Sequence, residues 1–212
     1  MGNHGIRVLA LVAIALAAAT LRADERRLAS GQWPYYSGDN GARKYSPLDR
    51  IRRDNVAGLR IAWRRPQLDP SLLAGQPAPQ LSNNFRSTPI MVDGVLYASN
   101  GVGLAEAFDP GTGRTIWVQD AGADGLRGAS NRGVAFWGDG ADARIITFRN
   151  GYLYALDPKT GKPIPGFGKA GAVDLNEGLG PFSRGYRWNS VPLIARDVIV
   201  MGSAMVDQDS AT

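Results

Sequence analysis

Apolar residues along this chain fall in short alternating runs broken by Gly, Asp, Asn or Pro, and a 3.6-residue period is scarce. Alternation with period two predicts strands with one face in and one face out. TPIMVDGVLYAS (88–99) reads as strand, Asp-Gly turn, strand, and GLAEAFDP (103–110) as a strand ending in a turn. ARIITFRNGYLYALDP (143–158) reads as strand, Asn-Gly turn, strand, turn. VPLIARDVIVMGSA (191–204) is a further hairpin, turning at Arg196-Asp197. The Asp93-Gly94 and Asn150-Gly151 pairs suit tight turns, because they tolerate the positive φ that other residues resist. Only RIRRDNVAGL (50–59) predicts a short helical turn.

One pattern is written twice. AFDPGTGRTIW (107–117) and ALDPKTGKPIP (155–165) share A-[FL]-D-P-x-T-G-[RK] at an interval of 48 residues. In each copy a strand ends in A-[FL]-D, a Pro-containing turn follows, and a last strand is expected to start. The Asp109 and Asp157 carboxylates can accept from turn N–H groups, Pro110 and Pro158 pre-set φ, and Gly113 and Gly161 supply a conformation closed to other residues. Ala107 and Ala155 are expected where a larger side chain would meet a neighbouring sheet, and Trp117 is expected to cover the next unit. A period of about 40–50 residues with four short strands per unit predicts an all-β propeller of four-stranded antiparallel blades. The second copy departs at Pro165, where Trp would be expected; Phe167 is the substitute cover.

Composition narrows the chemistry. The chain has 212 residues, one His and no Cys. That excludes disulfides, a thiolate metal site and a Cys nucleophile within it. The net charge is +5, but the basic residues are scattered, with pairs at Arg26-Arg27, Arg52-Arg53 and Arg64-Arg65. No long basic stripe with interleaved aromatics exists, so nucleic acid is not an expected partner. Arg7 followed by VLALVAIALAAATL (8–21) has the form of an export signal, with cleavage expected after Ala23. The apolar run is short for a membrane span.

The repeat then carries a resemblance. A-x-D-x-x-T-G-[KR]-x-x-W (107–117) resembles the tryptophan-docking motif of quinoprotein dehydrogenases, whose eight-bladed propeller holds pyrroloquinoline quinone (PQQ) and Ca2+. WPYYSGDNGARKYSPLDRI (33–51) with DNVAGLRIAW (54–63), STPIMVDGVLY (87–97), NRGVAFW (131–137) and FGKAGAVDL (167–175) are similar to further family segments. PQQ has three carboxylates and an ortho-quinone, so its site needs cations, N–H groups and a divalent cation with oxygen ligands. The resemblance implies that Arg132 pairs with a PQQ carboxylate and that Asn189 stands where relatives have a PQQ-contacting Thr. Ser203 and Ala204 fall where relatives approach the quinone by small side chains and backbone. Asp207, fifteen residues after Pro192, matches the family interval for a calcium-binding carboxylate. Arg86 stands where many members carry a Glu; its reversed charge either serves a PQQ carboxylate instead or marks an altered site, which would favour the rival given below. Adjacent cysteines present in some alcohol-oxidising members are replaced by Leu126-Arg127. Trp188 is a candidate ring platform, and Trp137, read at a strand start, is expected in the core.

The implied whole is an exported, periplasmic dehydrogenase of an alcohol or an aldose, with FGKAGAVDL (167–175) and the lack of Cys favouring the glucose or polyol type. Quinone or cytochrome would accept its electrons, and the resemblance allows peripheral attachment to a membrane. Residues 24–212 are expected to form its first blades, with the catalytic base beyond Thr212; this portion alone is expected to be inactive. The rival is a non-catalytic propeller of the same repeats, acting as an envelope scaffold.

Overall fold

The computed structural model describes residues 30–75, 77–79, 81, 85–138, 140–180 and 186–205. Residues 1–29, which include the segment read as an export signal, and Asp207 lie outside them. The first sheet consists of β1 (Ile90–Val92), β2 (Val95–Ser99), β3 (Ala105–Phe108) and β4 (Thr115–Val118), antiparallel and hydrogen-bonded in chain order. The second repeats this with β5 (Ala135–Trp137), β6 (Arg144–Arg149), β7 (Tyr152–Leu156) and β8 (Ala172–Asp174). A third unit is a split hairpin. Its lower pair is β10 (Leu193–Ala195) with β11 (Val198–Val200), and its upper pair is β9 (Tyr186–Trp188) with β12 (Ser203–Met205). The expected helical turn is a 3-10 turn over Val56–Gly58. The two-residue turns stand as expected, with φ of 50° at both Asp93 and Asn150 and 57° at Arg196.

Each sheet is an antiparallel meander, so its connections alternate between two rims. The β1–β2 and β3–β4 turns share one rim. The β2–β3 turn, the β4–β5 loop and the start of every first strand share the other. The N-terminal segment crosses the first strands: Trp33 exchanges backbone hydrogen bonds with Met91 (2.8 and 2.9 Å), and Pro34–Ala42 face Phe136 and Val191–Ile194.

The core lies between sheets. Ile90, Val92, Tyr97, Ala107 and Trp117 of the first sheet meet Val134, Phe136, Ile145 and Leu156 of the second. On the other face of the second sheet, Ala135, Ile146, Phe148, Leu153 and Ala155 meet Trp188, Ile194, Ile199 and Met201 of the third unit. Adjacent residues such as Ile145 and Ile146 thus serve opposite faces, which is the period-two alternation of a sheet buried on both sides. Ala107 and Ala155 are fully buried, as their repeat position required.

The repeated turn is a docking latch. Asp109 accepts from the N–H and hydroxyl of Thr112 (2.7 Å each), and Asp157 does the same for Thr160 at 2.8 and 3.0 Å. The Trp117 indole N–H donates to Pro158 O at 2.8 Å, and its ring lies over Gly161. Trp63 repeats the contact one unit earlier, with its N–H 2.8 Å from Pro110 O and its ring over Gly113. Tyr97 donates to the same Pro158 carbonyl at 3.3 Å; burial, helped by the charges of Asp93 and Asp157, pushes its hydroxyl up to about 12. Arg65 reinforces the earlier latch. It pairs with buried Glu106 at 2.8 Å, donates to Thr115 Oγ1 at 2.9 Å and stacks on Phe108.

Two expectations are corrected. The last strand of the second sheet does not start straight after the turn. Leu156 and Pro163 make only an isolated bridge, and β8 begins at Ala172 after a loop in which Lys169 bridges Ala172. Pro165 cannot donate to a ladder, which fits this delay. Phe167 does pack against the second core, in place of the missing Trp. Trp137 ends β5 rather than starting a strand, so it lies on the turn rim. It is half-buried there, under the Arg144 guanidinium, with its N–H 3.1 Å from Arg196 O.

At Gly161 φ is +70°, and a Cβ would stand 2.5 Å from the Trp117 ring. Gly94 has φ of +79° with open space around it. Gly161→Ala is therefore expected to cost about 3 kcal/mol and Gly94→Ala about 1 kcal/mol in urea unfolding. Equal losses would show that docking on the glycine adds nothing to its backbone conformation.

The Thr112 hydrogen bonds hold the Asp109 carboxyl below its ordinary range. A depressed carboxylate stabilises the fold above its unfolded pKa, about 4, and that contribution is lost as pH falls through the lower folded value. Asp109→Asn keeps an acceptor but removes the titration. Its stability profile is expected to be flatter than the wild type's below about pH 4, which thermal melts across that range would reveal.

Candidate functional site at the strand-start rim

Three first strands begin side by side at one rim. Thr88 donates to Arg132 O at 3.0 Å and forms a parallel bridge with Gly133. A Cβ on Gly133 would lie 2.8 Å from Thr88 O and 3.4 Å from Val191 Cγ2. Gly133 thus joins the first and third units through the second. Arg86 stands two residues before Thr88, Arg132 one before Gly133 and Asn189 two before Val191. The fold gathers these three predicted residues at the same rim, and all three are exposed.

Their backbone is held from below. Ser99 N donates to Ser87 Oγ at 2.9 Å, and Ser99 Oγ donates to Asn131 O at 3.0 Å. Buried Asn131 donates to Phe148 O at 3.0 Å and accepts from Gly133 N at 3.1 Å. The peptide on each side of Arg132 is therefore tied, while its guanidinium faces outward. A buried amide with both ends engaged is costly to remove, since its partners lose water and gain nothing.

Ser203 and Ala204 sit in the upper pair of the split hairpin, where Trp188 pairs with Ser203 and Arg187 with Ala204. Ser190 Oγ donates to Gly202 O and accepts from Gly202 N, both at 2.8 Å, and so closes the break between the two pairs beside Asn189. The Ser203 hydroxyl accepts from Arg187 N at 3.1 Å and donates to Ala204 O at 3.2 Å. What these two residues offer a ligand is mainly backbone and small surface. Trp188 is stacked on Tyr186 with ring centroids 5.8 Å apart, and its indole N–H is buried without an acceptor. Trp188, Tyr186 and Arg187 border a cleft with Ala129, Arg149 and Asn176.

The donor set fits an anionic group: two guanidinium cations, an amide and backbone at the rim, with the stacked Trp188–Tyr186 pair adjoining Asn189. A tricarboxylated quinone such as PQQ has that chemistry. Among the described residues no cluster of three His, Cys, Asp or Glu could hold a metal ion; Asp207, the predicted calcium ligand, lies outside them. Sequence reasoning missed Ser87, Ser99, Asn131 and Arg149. The N-R-G motif did point at Asn131, but as a neighbour of Arg132 rather than as its support.

The latched four-stranded units and this rim define a quinoprotein-type β-propeller. The family model described as PQQ glucose/ethanol/alcohol dehydrogenase, beta-propeller domain, matches residues 33–212, and the chain belongs to that family. It is 32% identical over 179 residues to the dehydrogenase subunit of the quinone alcohol dehydrogenase of Komagataeibacter europaeus, covering 82% of this chain and 22% of that protein. It is 27% identical over 208 residues to the quinoprotein glucose dehydrogenase of Gluconobacter oxydans (strain 621H), covering 89% and 25%. The solved quinohemoprotein alcohol dehydrogenase ADHIIG of Pseudomonas putida HK5 superposes with a TM-score of 0.65 at 27% identity, over 88% of this chain and 24% of that one. The chain therefore spans about a quarter of the length of these relatives.

Asn131→Ala removes both of the amide's bonds beneath Arg132. It is expected to lower stability by about 2 kcal/mol in urea unfolding; a loss under about 0.5 kcal/mol would show that the rim is held by other contacts.

Proposed function

We propose that this chain forms the first blades, over residues 24–212, of a PQQ- and calcium-dependent dehydrogenase, exported to the periplasm by residues 1–23. Its substrate is an alcohol or the anomeric hydroxyl of an aldose, the two classes in the relatives' names. FGKAGAVDL (167–175) tilts the choice toward the sugar or polyol. The observation that carries the reading is the convergence of Arg86, Arg132 and Asn189 around the Gly133 junction.

PQQ, when bound, supplies a two-electron acceptor for a hydride from the substrate carbon, and a calcium ion beside it supplies Lewis acidity. This chain's residues supply the holding. Arg132, on a tied backbone, offers a planar fork suited to a carboxylate. Arg86 offers a second cation at the neighbouring strand start, and Asn189 an amide that donates and accepts. Asp207 is the proposed calcium ligand from this chain, and the proton-abstracting carboxylate belongs to later blades. Electrons would leave to a quinone or a cytochrome, with peripheral contact to a membrane as the setting. A scaffold propeller would need the latches alone, and gives no reason for two guanidinium groups at one rim.

The full-length protein, reconstituted with PQQ and Ca2+, is expected to reduce a dye with alcohols or aldoses only when both are added. Arg132→Ala is expected to weaken PQQ affinity on the order of tenfold or more, as for loss of a charge-assisted hydrogen bond. Asp207→Ala is expected to raise the calcium requirement. A folded full-length protein that binds no PQQ overturns the reading.

A further inference from the structure

Arg149 ends β6 and is buried, at 5% exposure. Its guanidinium has no carboxylate partner among the ion pairs of the described residues. It is satisfied by carbonyl groups instead. Nε donates to Val102 O at 3.3 Å, Nη1 to Ala121 O at 2.9 Å, and Nη2 to Gly125 O at 2.5 Å and Arg127 O at 2.6 Å. Val102 lies in the β2–β3 turn, and the other three acceptors lie in the loop between β4 and β5. One side chain of the second sheet therefore clamps both rim connections of the first.

The surroundings are built for this contact. A Cβ on Gly128 would stand 2.4 Å from Val102 O and 3.3 Å from Arg149 Nε, so the loop passes too close for any side chain. Asn150 adds bonds from Nδ2 to Asp124 Oδ2 at 2.8 Å and to Arg127 O at 3.3 Å. Burial lowers the affinity of Arg149 for its proton, partly countered by nearby Asp124. A guanidinium nonetheless stays charged in proteins, and its five N–H groups point in several directions from one plane. A lysine ammonium could not reach acceptors on two sides from one position.

The clamped loop runs straight into Asn131 and Arg132, and Asn131 bonds to Phe148 O, the residue beside Arg149. Both ends of the approach to Arg132 thus hang on the end of β6. We propose that Arg149 is a positioning residue: by fixing the β4–β5 loop through four carbonyls, it presents Arg132 to a carboxylate of the bound quinone. This rests on the proposed function for what Arg132 binds, but the clamp itself does not.

The test uses full-length protein without cofactor, as wild type, Arg149→Met, Arg149→Lys and Arg132→Ala. Two quantities are read: the rate of tryptic cleavage after Arg127, which is exposed in the loop, and the dissociation constant for PQQ by equilibrium dialysis. In R149M both are expected to rise on the order of tenfold, as for contacting residues that act as one network. R149K is expected between R149M and the wild type in both. R132A is expected to weaken PQQ binding with the loop cut at the wild-type rate. A third reading follows reconstitution: once R149M is saturated with PQQ and Ca2+, kcat is expected to stay within about twofold of the wild type, because positioning is restored by binding, and a larger fall overturns a role confined to positioning.

A wild-type cleavage rate in R149M overturns the clamp. A loosened loop with unchanged PQQ affinity overturns the positioning role. If R149M does not fold, R149K decides by the same two readings. A wild-type protein that binds no PQQ overturns the function reading and the positioning role together, while loop cleavage still reports on the clamp.

Discussion

Everything in this molecule hangs on an indole N–H reaching a proline carbonyl in the next sheet. Trp117 to Pro158 and Trp63 to Pro110 are the same contact at the same 2.8 Å. The carbonyl is free to accept because the turn's own backbone bonds, from Gly113 N and Gly161 N, go to Asp109 O and Asp157 O instead. The ring can lie flat because the residue beneath it has no side chain. Asp109 and Asp157 hold that turn open from inside. Each part of A-[FL]-D-P-x-T-G serves one joint, and the joint fixes how one sheet sits on the next. The cores then follow, since a sheet held at that angle buries Ala107 or Ala155 where the approach is closest.

The meander separates labour between rims. Latches occupy the rim of the β3–β4 type of turn. The opposite rim is relieved of docking and collects the beginnings of first strands, with polar side chains projecting from tied backbone. Arg86, Arg132 and Asn189 are near one another because three units are stacked, not because any one of them is special. Buried polar groups support that rim, where the latch rim depends on aromatic rings.

Much of the fold was legible in the sequence because its signals are local. Asp93-Gly94, Asn150-Gly151 and Arg196-Asp197 mark turns by their own backbone preferences, and the strands between them alternate. The two docking turns were legible because they are written twice. Trp63 was not seen as a latch, since its partner turn lies 47 residues away and its own segment forms no strand. The late start of β8 was hidden because the pattern after Gly161 looked like its counterpart after Gly113. Trp137 was misjudged from an apolar neighbourhood that does not tell a strand's start from its end. Of the site, Arg86, Arg132 and Asn189 stood out through family resemblance, and their common rim emerges only from the stacking. Arg149 and Asn131 carry no such signal. An arginine at a strand end reads as solvent-exposed until the carbonyls around it are counted.

The latch also sets the order in which this chain can acquire structure. Its two indole contacts close intervals of 47 and 41 residues, and within the four-stranded sheets strands pair with sequence neighbours. Pairing within each of these sheets is of low contact order, and short loops close at little entropic cost. Each sheet can zip as soon as its own strands are available, then wait for one more turn to be clasped. Folding can therefore advance from the N-terminus in steps of one unit, without a distant segment being required to begin.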